Sequence, residues 1–186
     1  MNDEMILDLY WARSESAINE TAKKYGNYCL AIATGILQNN EDAEECVSDT
    51  YLKAWEAIPP QRPVIFKSFL GKITRNLSLN KYKEHKTKKR GGGEIALMLS
   101  ELEECIPSRS NVETEYESNQ VIEIINSWLL SLERENRVVF VRRYWYADTI
   151  KIIAARFKIS ESKVKSMLFR TRKILKTYLE KEGVVL

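Results

Sequence analysis

Residues 149–176 constrain the fold more than any other stretch, because apolar side chains recur there at helical spacing on both sides of a short break. In the first half they recur at i, i+3, i+4 and i+7, which predicts an amphipathic helix. These residues are Ile150, Ile153, Ala154 and Phe157. Asp148 or Thr149 can cap its start, and Ser160 can cap a second, longer helix. The pattern predicts a helix-turn-helix, for which nucleic acid is the first partner to consider.

The second helix of this pair leaves a polar, largely basic face pointing away from its apolar stripe. Its members are Lys163, Lys165, Ser166, Arg170, Arg172 and Lys173. Cations and a hydroxyl on the exposed side of a capped helix suit phosphate contacts and base-edge contacts in a major groove. The alternative is a solvated basic face on an ordinary packing helix. It is disfavoured because the face belongs to the second helix of a turn-linked pair.

The composition is that of a globular protein with segregated charge. The chain has 186 residues, 44% of them hydrophobic, and a formal net charge of +3. This is enough for one ordinary domain or two small ones. Basic residues gather at 81–90 and 156–176, whereas acidic residues gather at 41–49 and 101–117. Such segregation predicts both an anionic partner and a cationic one.

The sequence offers little for a metal, a cofactor or an enzyme active site. Its three cysteines, Cys29, Cys46 and Cys105, are widely spaced, so neither a disulfide framework nor a zinc site is predicted. The single histidine, His85, lies in a lysine-rich run and is expected to be solvated. We therefore expect no catalytic residue, no metal and no cofactor. The absence of a basic and apolar leader and of a long apolar stretch predicts a cytoplasmic protein without membrane insertion.

The chain reads as helical throughout, since no useful period-two alternation occurs and glycine and proline gather at a few boundaries. We predict an all-α fold of two small helical domains, residues 1–90 and 119–186, the second with the helix-turn-helix. A flexible acidic linker, residues 91–118, joins them, and the three glycines at 91–93 mark a hinge. A short amphipathic helix inside the linker would carry Ile95, Met98, Leu99 and Leu102.

Two separated parts of the chain carry a family signature. The stretch 42–55 reads DAEECVSDTYLKAW, residues 66–82 contain the run TRNLSLN, and residues 132–176 hold the helix-turn-helix. In this order they resemble region 2 and region 4 of bacterial RNA polymerase sigma factors of the extracytoplasmic-function type, in the sigma-70 family. The resemblance implies a dissociable initiation factor that binds core RNA polymerase, recognises the minus-ten and minus-thirty-five elements of promoter DNA and opens the duplex. Such a factor is associated with the nucleoid when it is bound to polymerase.

The resemblance assigns polymerase docking to the acidic helix in 42–55, through Glu45, Ser48 and Asp49. A second interpretation is that the carboxylates merely favour the positive end of a helix, at about 0.3–1 kcal/mol each. Asp49 lies beyond the first turn, so it is the strongest candidate of the three.

The helix that begins near residue 66 resembles the promoter-melting helix. Asn76 and the loop near Arg62 would accept a flipped base of the minus-ten element, since a splayed-out base needs hydrogen-bonding edges and stacking surfaces. Asn80 falls inside the apolar stripe of its helix, so a satisfied buried amide is an equal alternative. The remaining minus-ten candidates are Arg75, Lys81 and Lys83, the two lysines as phosphate contacts.

The resemblance places the second helix of the helix-turn-helix in the major groove of the minus-thirty-five element. Its candidate contacts are Ser160, Lys163, Lys165, Ser166, Arg170 and Arg172. Arg170 is best suited to a bidentate guanine contact. One departure concerns the turn, where many relatives carry glycine in a left-handed conformation and this chain carries Lys158. That conformation would cost a lysine about 1 kcal/mol.

Two further interpretations stay open. A conventional helix-turn-helix regulator with dimerising N-terminal helices would bind a palindromic operator without polymerase, although the acidic surface around Asp49 is poorly suited to a dimer interface. The family resemblance also makes an anti-sigma factor a partner to consider. The domain surfaces that otherwise face polymerase would contribute to its binding, as would three linker residues. These residues are Ile95, Met98 and Leu102.

Overall fold

The computed structural model describes the backbone of residues 1–88, 93–106 and 115–184 and the side chains of residues 1–85, 93–106 and 120–184. Over these residues the chain is α-helical without any strand, so the prediction of an all-α fold is confirmed. The chain divides into two compact units, Met1–Gly91 and Gly92–Leu186. Each unit is described by itself below.

Four helices are described in the first unit. They are α1 (Asp3–Trp11), α2 (Ser16–Leu37), α3 (Asn40–Ala57) and α4 (Phe66–Lys88). Phe66 opens α4 and is fully buried. Its ring packs edge-on against Tyr10 of α1 and Tyr25 of α2, with ring centroids 5.8 Å apart in both pairs. These aromatic contacts fix the start of α4 against the first two helices.

Polar side chains fix the position of α3. Asn39 caps the helix, its side-chain oxygen accepting from the backbone N–H groups of Glu41 at 2.9 Å and Asp42 at 3.4 Å. On the inner side of the helix, the Thr50 hydroxyl donates to the Thr74 hydroxyl of α4 at 3.0 Å. Since this bond is buried, it ties α3 and α4 together in one orientation.

The second unit includes the remaining described helices. They are α5 (Glu94–Glu103), α6 (Glu115–Ser131), α7 (Arg134–Tyr144), α8 (Ile150–Phe157) and α9 (Glu161–Lys181). Trp128 of α6 is buried and packs edge-on against Phe140 of α7, with ring centroids 5.1 Å apart. Leu168 and Leu175 of α9 are also buried, and α9 packs against α6, α7 and α8. The hydrophobic core of the second unit thus lies where α9 packs against α6, α7 and α8.

The short helix expected inside the linker exists as α5, and it belongs to the second compact unit. It buries Ile95 and Met98, which are 3% and 0% exposed, and it packs against α7. The unit therefore includes residues that the sequence pattern assigned to the linker. An apolar stripe on a ten-residue helix has to be covered by other parts of the protein to stay folded in water.

Candidate nucleic-acid interface

The predicted helix-turn-helix is formed by α8 and α9. Thr149 caps α8, its hydroxyl accepting from a backbone N–H of the first turn at 3.2 Å. Ser160 caps α9 in the same way, accepting from the N–H of Lys163 at 3.1 Å. Asp148, the other predicted cap of α8, instead accepts from Nε of Arg142 at 2.6 Å. Both helices of the motif therefore begin where the sequence pattern placed them.

The turn contains Lys158 in the left-handed conformation, with φ 54° and ψ 42°. The following N–H, of Ile159, donates to the carbonyl of Ala154 at 3.1 Å and closes the end of α8. The turn thus has the left-handed conformation that glycine adopts most readily, and the lysine carries the steric cost of a positive φ.

The solvent-facing side of α9 carries most of the predicted minus-thirty-five residues. Lys163, Lys165, Ser166 and Arg170 are all exposed. Lys163 lies 3.7 Å from the carboxylate of Glu135, and both side chains are well solvated, so the pair is weak and readily exchanged. The face therefore offers three cations and a hydroxyl to an anionic partner.

Arg172 is the exception among the predicted minus-thirty-five residues. Its side chain is only 16% exposed. Its Nη1 donates to the Tyr144 hydroxyl at 2.7 Å and lies 3.5 Å from Oε2 of Glu101. Helical spacing alone placed Arg172 outward, but Glu101 of α5 lies against this side of α9. The structure therefore places Arg172 in a network inside the unit and not on the exposed basic face.

On α4 the predicted minus-ten amides are both exposed. Asn76 and Asn80 face solvent, so the interpretation of Asn80 as a buried amide is wrong. The buried line of the helix runs through Leu70, Thr74 and Ser78, half a turn away from Asn80. The two hydroxyls can be buried because each donates to the carbonyl four residues earlier, at 2.9 and 2.8 Å.

Lys81 joins the exposed parts of α3 and α4. Its ammonium lies 2.6 Å from Glu45 and 3.1 Å from Asp42, and its side chain is 16% exposed. Desolvation by itself would lower the pKa of Lys81, but the hydrogen bonds from the two carboxylates outweigh it and the pKa is raised. A predicted phosphate contact is therefore paired with a predicted polymerase contact.

The other cations near the minus-ten candidates differ in their surroundings. Arg62 is exposed and forms an ion pair with Asp8 of α1 at 2.7 Å. Arg75 is half-buried, and desolvation lowers the pKa of its guanidinium to about 10, which leaves it charged at neutral pH. Lys83 is exposed.

The outer face of α3 carries the three predicted docking residues. Glu45, Ser48 and Asp49 are all exposed, and the Ser48 hydroxyl donates to the carbonyl of Glu44 at 3.1 Å. The opposite face buries Ala43, Cys46, Thr50 and Ala54. The acidic side chains are thus presented on a helix that is anchored along its other side.

Comparison with known proteins decides the family. The family model described as Sigma-70 region 2 matches residues 21–88, and the one described as Sigma-70, region 4 matches residues 122–175. Together the two matches cover well over half of the chain. The chain belongs to the sigma-70 family. The prediction of a sigma factor of the sigma-70 family is confirmed, and with it the assignment to DNA-binding proteins of transcription initiation.

Individual relatives of the sigma factor are distant. A protein of Xanthomonas campestris pv. campestris named "Probable RNA polymerase sigma factor RfaY" is 23% identical over 155 residues. The aligned part is 82% of this sigma factor, which spans 38% of the length of that curated relative. A solved chain described as "Structure of CnrH in complex with the cytosolic domain of CnrY" is 19% identical, with a TM-score of 0.42. That comparison covers 96% of this chain and 97% of the other.

Two exposed apolar residues of the sigma factor were missed by sequence reasoning. Leu52 is 53% exposed and follows Asp49 by three residues on α3. Phe169 is 60% exposed and follows Ser166 by three residues on α9. Their i, i+3 spacing from Asp49 and Ser166 indicates that they share the exposed faces of α3 and α9. Leucine and phenylalanine usually face inward, so their residue type alone predicts burial.

The described part of the sigma factor holds no group of three or more histidine, cysteine or acidic side chains placed to bind a metal ion. Cys29, Cys46 and Cys105 are free and buried, and burial raises the pKa of each thiol, to about 11 for Cys105. His85 is exposed and lies 3.6 Å from Asp42. Among the described helices, none has the length and apolar character to cross a membrane.

Proposed function

We propose that this sigma factor is a dissociable initiation factor that binds core RNA polymerase, reads the minus-ten and minus-thirty-five elements and opens promoter DNA. It carries out no bond chemistry of its own. The observation that supports the proposal is the uneven distribution of exposed charge: acids predominate on α3, cations and two amides on α4, and cations on α9. A cationic protein surface and a DNA strand are the partners that such faces attract. Cytoplasmic location and association with the nucleoid follow from the same proposal.

Polymerase docking is assigned to the outer face of α3. Glu45, Ser48 and Asp49 lie on successive turns and are exposed, and Leu52 extends the same face by one turn. An exposed leucine beside two carboxylates gives a small apolar centre with a charged rim, the usual anatomy of a protein interface. Asp49 is the strongest single contact because, unlike Glu45, it has no ion pair with Lys81.

Capture of the minus-ten element is assigned to α4 and the loop before it. Asn76 and Asn80 lie about one turn apart and present amides that can donate to and accept from a base edge. Lys83 continues the same side of the helix toward the DNA backbone. Arg62 reaches a nucleotide only by leaving its exposed ion pair with Asp8, which costs little.

Readout of the minus-thirty-five element is assigned to the exposed face of α9. Lys163 and Lys165 suit phosphates, whereas Ser166 and Arg170 suit base edges. Phe169 is 60% exposed and follows Ser166 by three residues on the same helix, and its ring suits the methyl group of a thymine. Ser160 contributes its backbone position and its cap, and Arg172 supports the helix from inside the unit.

The decisive experiment is transcription in vitro from fragmented host genomic DNA by sigma-free core polymerase, with and without this protein, followed by sequencing of the transcript starts. New starts that share two upstream motifs would support the proposal and define the promoter. If no new start appears and the protein alone binds duplex DNA tightly, a conventional regulator explains the chain better.

A matched pair of variants tests the docking face. Asp49→Ala is expected to weaken binding to core polymerase about tenfold, which corresponds to about 1.4 kcal/mol. Glu44→Ala removes another exposed acid of α3 that lies about 140° around the helix from Asp49, and it should leave the affinity unchanged. Equal losses for both variants would point to nonspecific attraction by negative charge instead of a defined face.

An anti-sigma factor remains a proposed partner. Of the linker residues assigned to it, Ile95 and Met98 are buried and Leu102 is half-buried within the second unit. A partner therefore reaches these side chains only if α5 leaves its position.

A further inference from the structure

The second unit contains a groove of about 390 Å³ beside α9. Its lining residues are Glu104, Cys105, Phe169, Arg172, Lys173 and Lys176. The last four recur at i, i+3, i+4 and i+7, so they share one face of α9. The other two follow directly after α5 and complete the lining. A groove of this volume is in the size range of small-molecule sites, about 300–1,000 Å³.

The lining of the groove attracts anions. Its three cations and one acid, Glu104, leave a net charge of +2. Lys173 and Lys176 are exposed, and neither forms an ion pair with another residue that the structure describes. Like charges about one turn apart on a helix repel each other. An anion bound between the two ammonium groups would relieve this repulsion.

Arg172 is already oriented for binding. Its side chain is 16% exposed, and its Nη1 donates to the Tyr144 hydroxyl at 2.7 Å and lies 3.5 Å from Oε2 of Glu101. Both contacts use the same nitrogen, so Nε and Nη2 can donate to a ligand in the groove. Because the side chain is held before binding, little conformational freedom is lost when a ligand arrives. A guanidinium fixed in this way suits phosphate oxygens.

Phe169 gives the groove an aromatic end. Its ring is 60% exposed. Lys176 lies seven residues further on, about 10 Å along the helix axis, with the other two cations between them. Stacking of a nucleic-acid base on an exposed aromatic ring is worth about 1–3 kcal/mol. The groove therefore offers a stacking surface at one end and phosphate-binding groups along the rest of its length.

We propose that this groove binds a free nucleotide with two or more phosphates. The base stacks on Phe169, and the phosphates bind Arg172, Lys173 and Lys176. Nucleotide binding here goes beyond the proposed function and requires neither polymerase nor promoter DNA. Phe169 is also assigned to the minus-thirty-five element in the proposed function, and one ring cannot serve both ligands at the same time.

The test is isothermal titration calorimetry of the full chain with ATP, GTP and inorganic tripolyphosphate, without polymerase or DNA. Both nucleotides are expected to bind with a Kd below about 1 mM. Tripolyphosphate should bind at least about fivefold more weakly than ATP, because it has no base to stack. Phe169→Ala should weaken ATP binding at least about fivefold and leave the affinity for tripolyphosphate unchanged.

A matched pair of lysine variants tests the phosphate end. Lys176→Ala should weaken the binding of ATP and of tripolyphosphate alike, by about fivefold, because it removes a charge-assisted contact. Lys181→Ala removes another exposed lysine of α9 that lies outside the groove lining, and it should leave both affinities unchanged. The three replaced side chains are exposed, so circular dichroism should show the same helix content in every variant.

Four results would overturn the proposal. Absence of nucleotide binding with a Kd below about 1 mM would exclude the site. Equal affinities for ATP and tripolyphosphate, or an ATP affinity unaffected by Phe169→Ala, would exclude recognition of the base. Equal losses for Lys176→Ala and Lys181→Ala would leave only diffuse attraction by positive charge. Failure of the transcription experiment would leave each of these readouts unaffected.

Discussion

Replacing Lys158 by glycine tests the turn of the helix-turn-helix directly. Lys158 has a φ of 54°, which costs a residue with a side chain roughly 1–2 kcal/mol. Glycine removes this cost but adds about 0.5–1 kcal/mol of backbone entropy to the unfolded chain. Loss of a cation at the end of α8 forfeits about 0.3 kcal/mol, since the side chain is exposed. The free energy of unfolding should therefore be unchanged or up to about 1 kcal/mol higher.

The measurement is thermal unfolding of the full chain combined with hydrogen–deuterium exchange of the α9 amides, which reports on the second unit separately. For a unit of this size, 1 kcal/mol corresponds to a shift of about 4–8 °C in melting temperature. Lys173→Gly is the matched control, because it makes the same replacement at an exposed position inside α9. There glycine should lower the free energy of unfolding by about 1 kcal/mol.

The two lysine variants are thus expected to differ in sign. If Lys158→Gly lowers the melting temperature and speeds exchange in α9 as much as Lys173→Gly does, the left-handed geometry of the turn is wrong. The steric argument for the cost of lysine at this position would then fail with it.

Three further outcomes are expected. Ser160→Ala should lower the free energy of unfolding of the second unit by about 1 kcal/mol in urea titrations, and Ser160→Asn should restore it, because both serine and asparagine cap helices. Lys81→Met should destabilise the first unit by about 1 kcal/mol through loss of its two ion pairs, whereas Lys83→Met should change stability by less than about 0.5 kcal/mol. Burial raises the pKa of Cys105 to about 11 from an ordinary value of 9.0, so its contribution to the free energy of unfolding is fully present below pH 9 and is lost as the pH rises toward 11. Urea denaturation should therefore give a lower free energy of unfolding at about pH 10.5 than at about pH 8; a higher value at the upper pH would contradict this expectation.

Local signals were sufficient for much of the fold. The helix-turn-helix could be predicted because its signals are local in the sequence. They are the caps at Thr149 and Ser160, the turn at Lys158 and the apolar spacing of α8 and α9, and none of them depends on a distant contact. The same is true of the exposed acids of α3, because the opposite face of that helix is made of small residues.

Tertiary contacts account for what the sequence pattern did not predict. Arg172 has an outward position on a helical wheel, yet Glu101, 71 residues earlier in the sequence, holds it inside the unit. The spacing of Ile73 and Leu77 predicts an apolar stripe that includes Asn80. The buried line instead includes Thr74 and Ser78, whose hydroxyls donate to carbonyls of their own helix. Neither outcome can be deduced from helical periodicity, since each depends on which neighbouring helix covers that side.

The ion pair between Lys81 and Glu45 has a consequence for genetics. One ammonium group cannot hold a carboxylate and a DNA phosphate at full strength together, so the mutational effects at the two positions will be epistatic. An alanine scan would credit the whole loss of activity at Glu45 to polymerase binding and the whole loss at Lys81 to promoter DNA. Part of each loss, however, comes from breaking the same ion pair between the two residues. A double-mutant cycle of Glu45→Ala and Lys81→Ala would measure that shared part and leave the partner-specific losses apart from it.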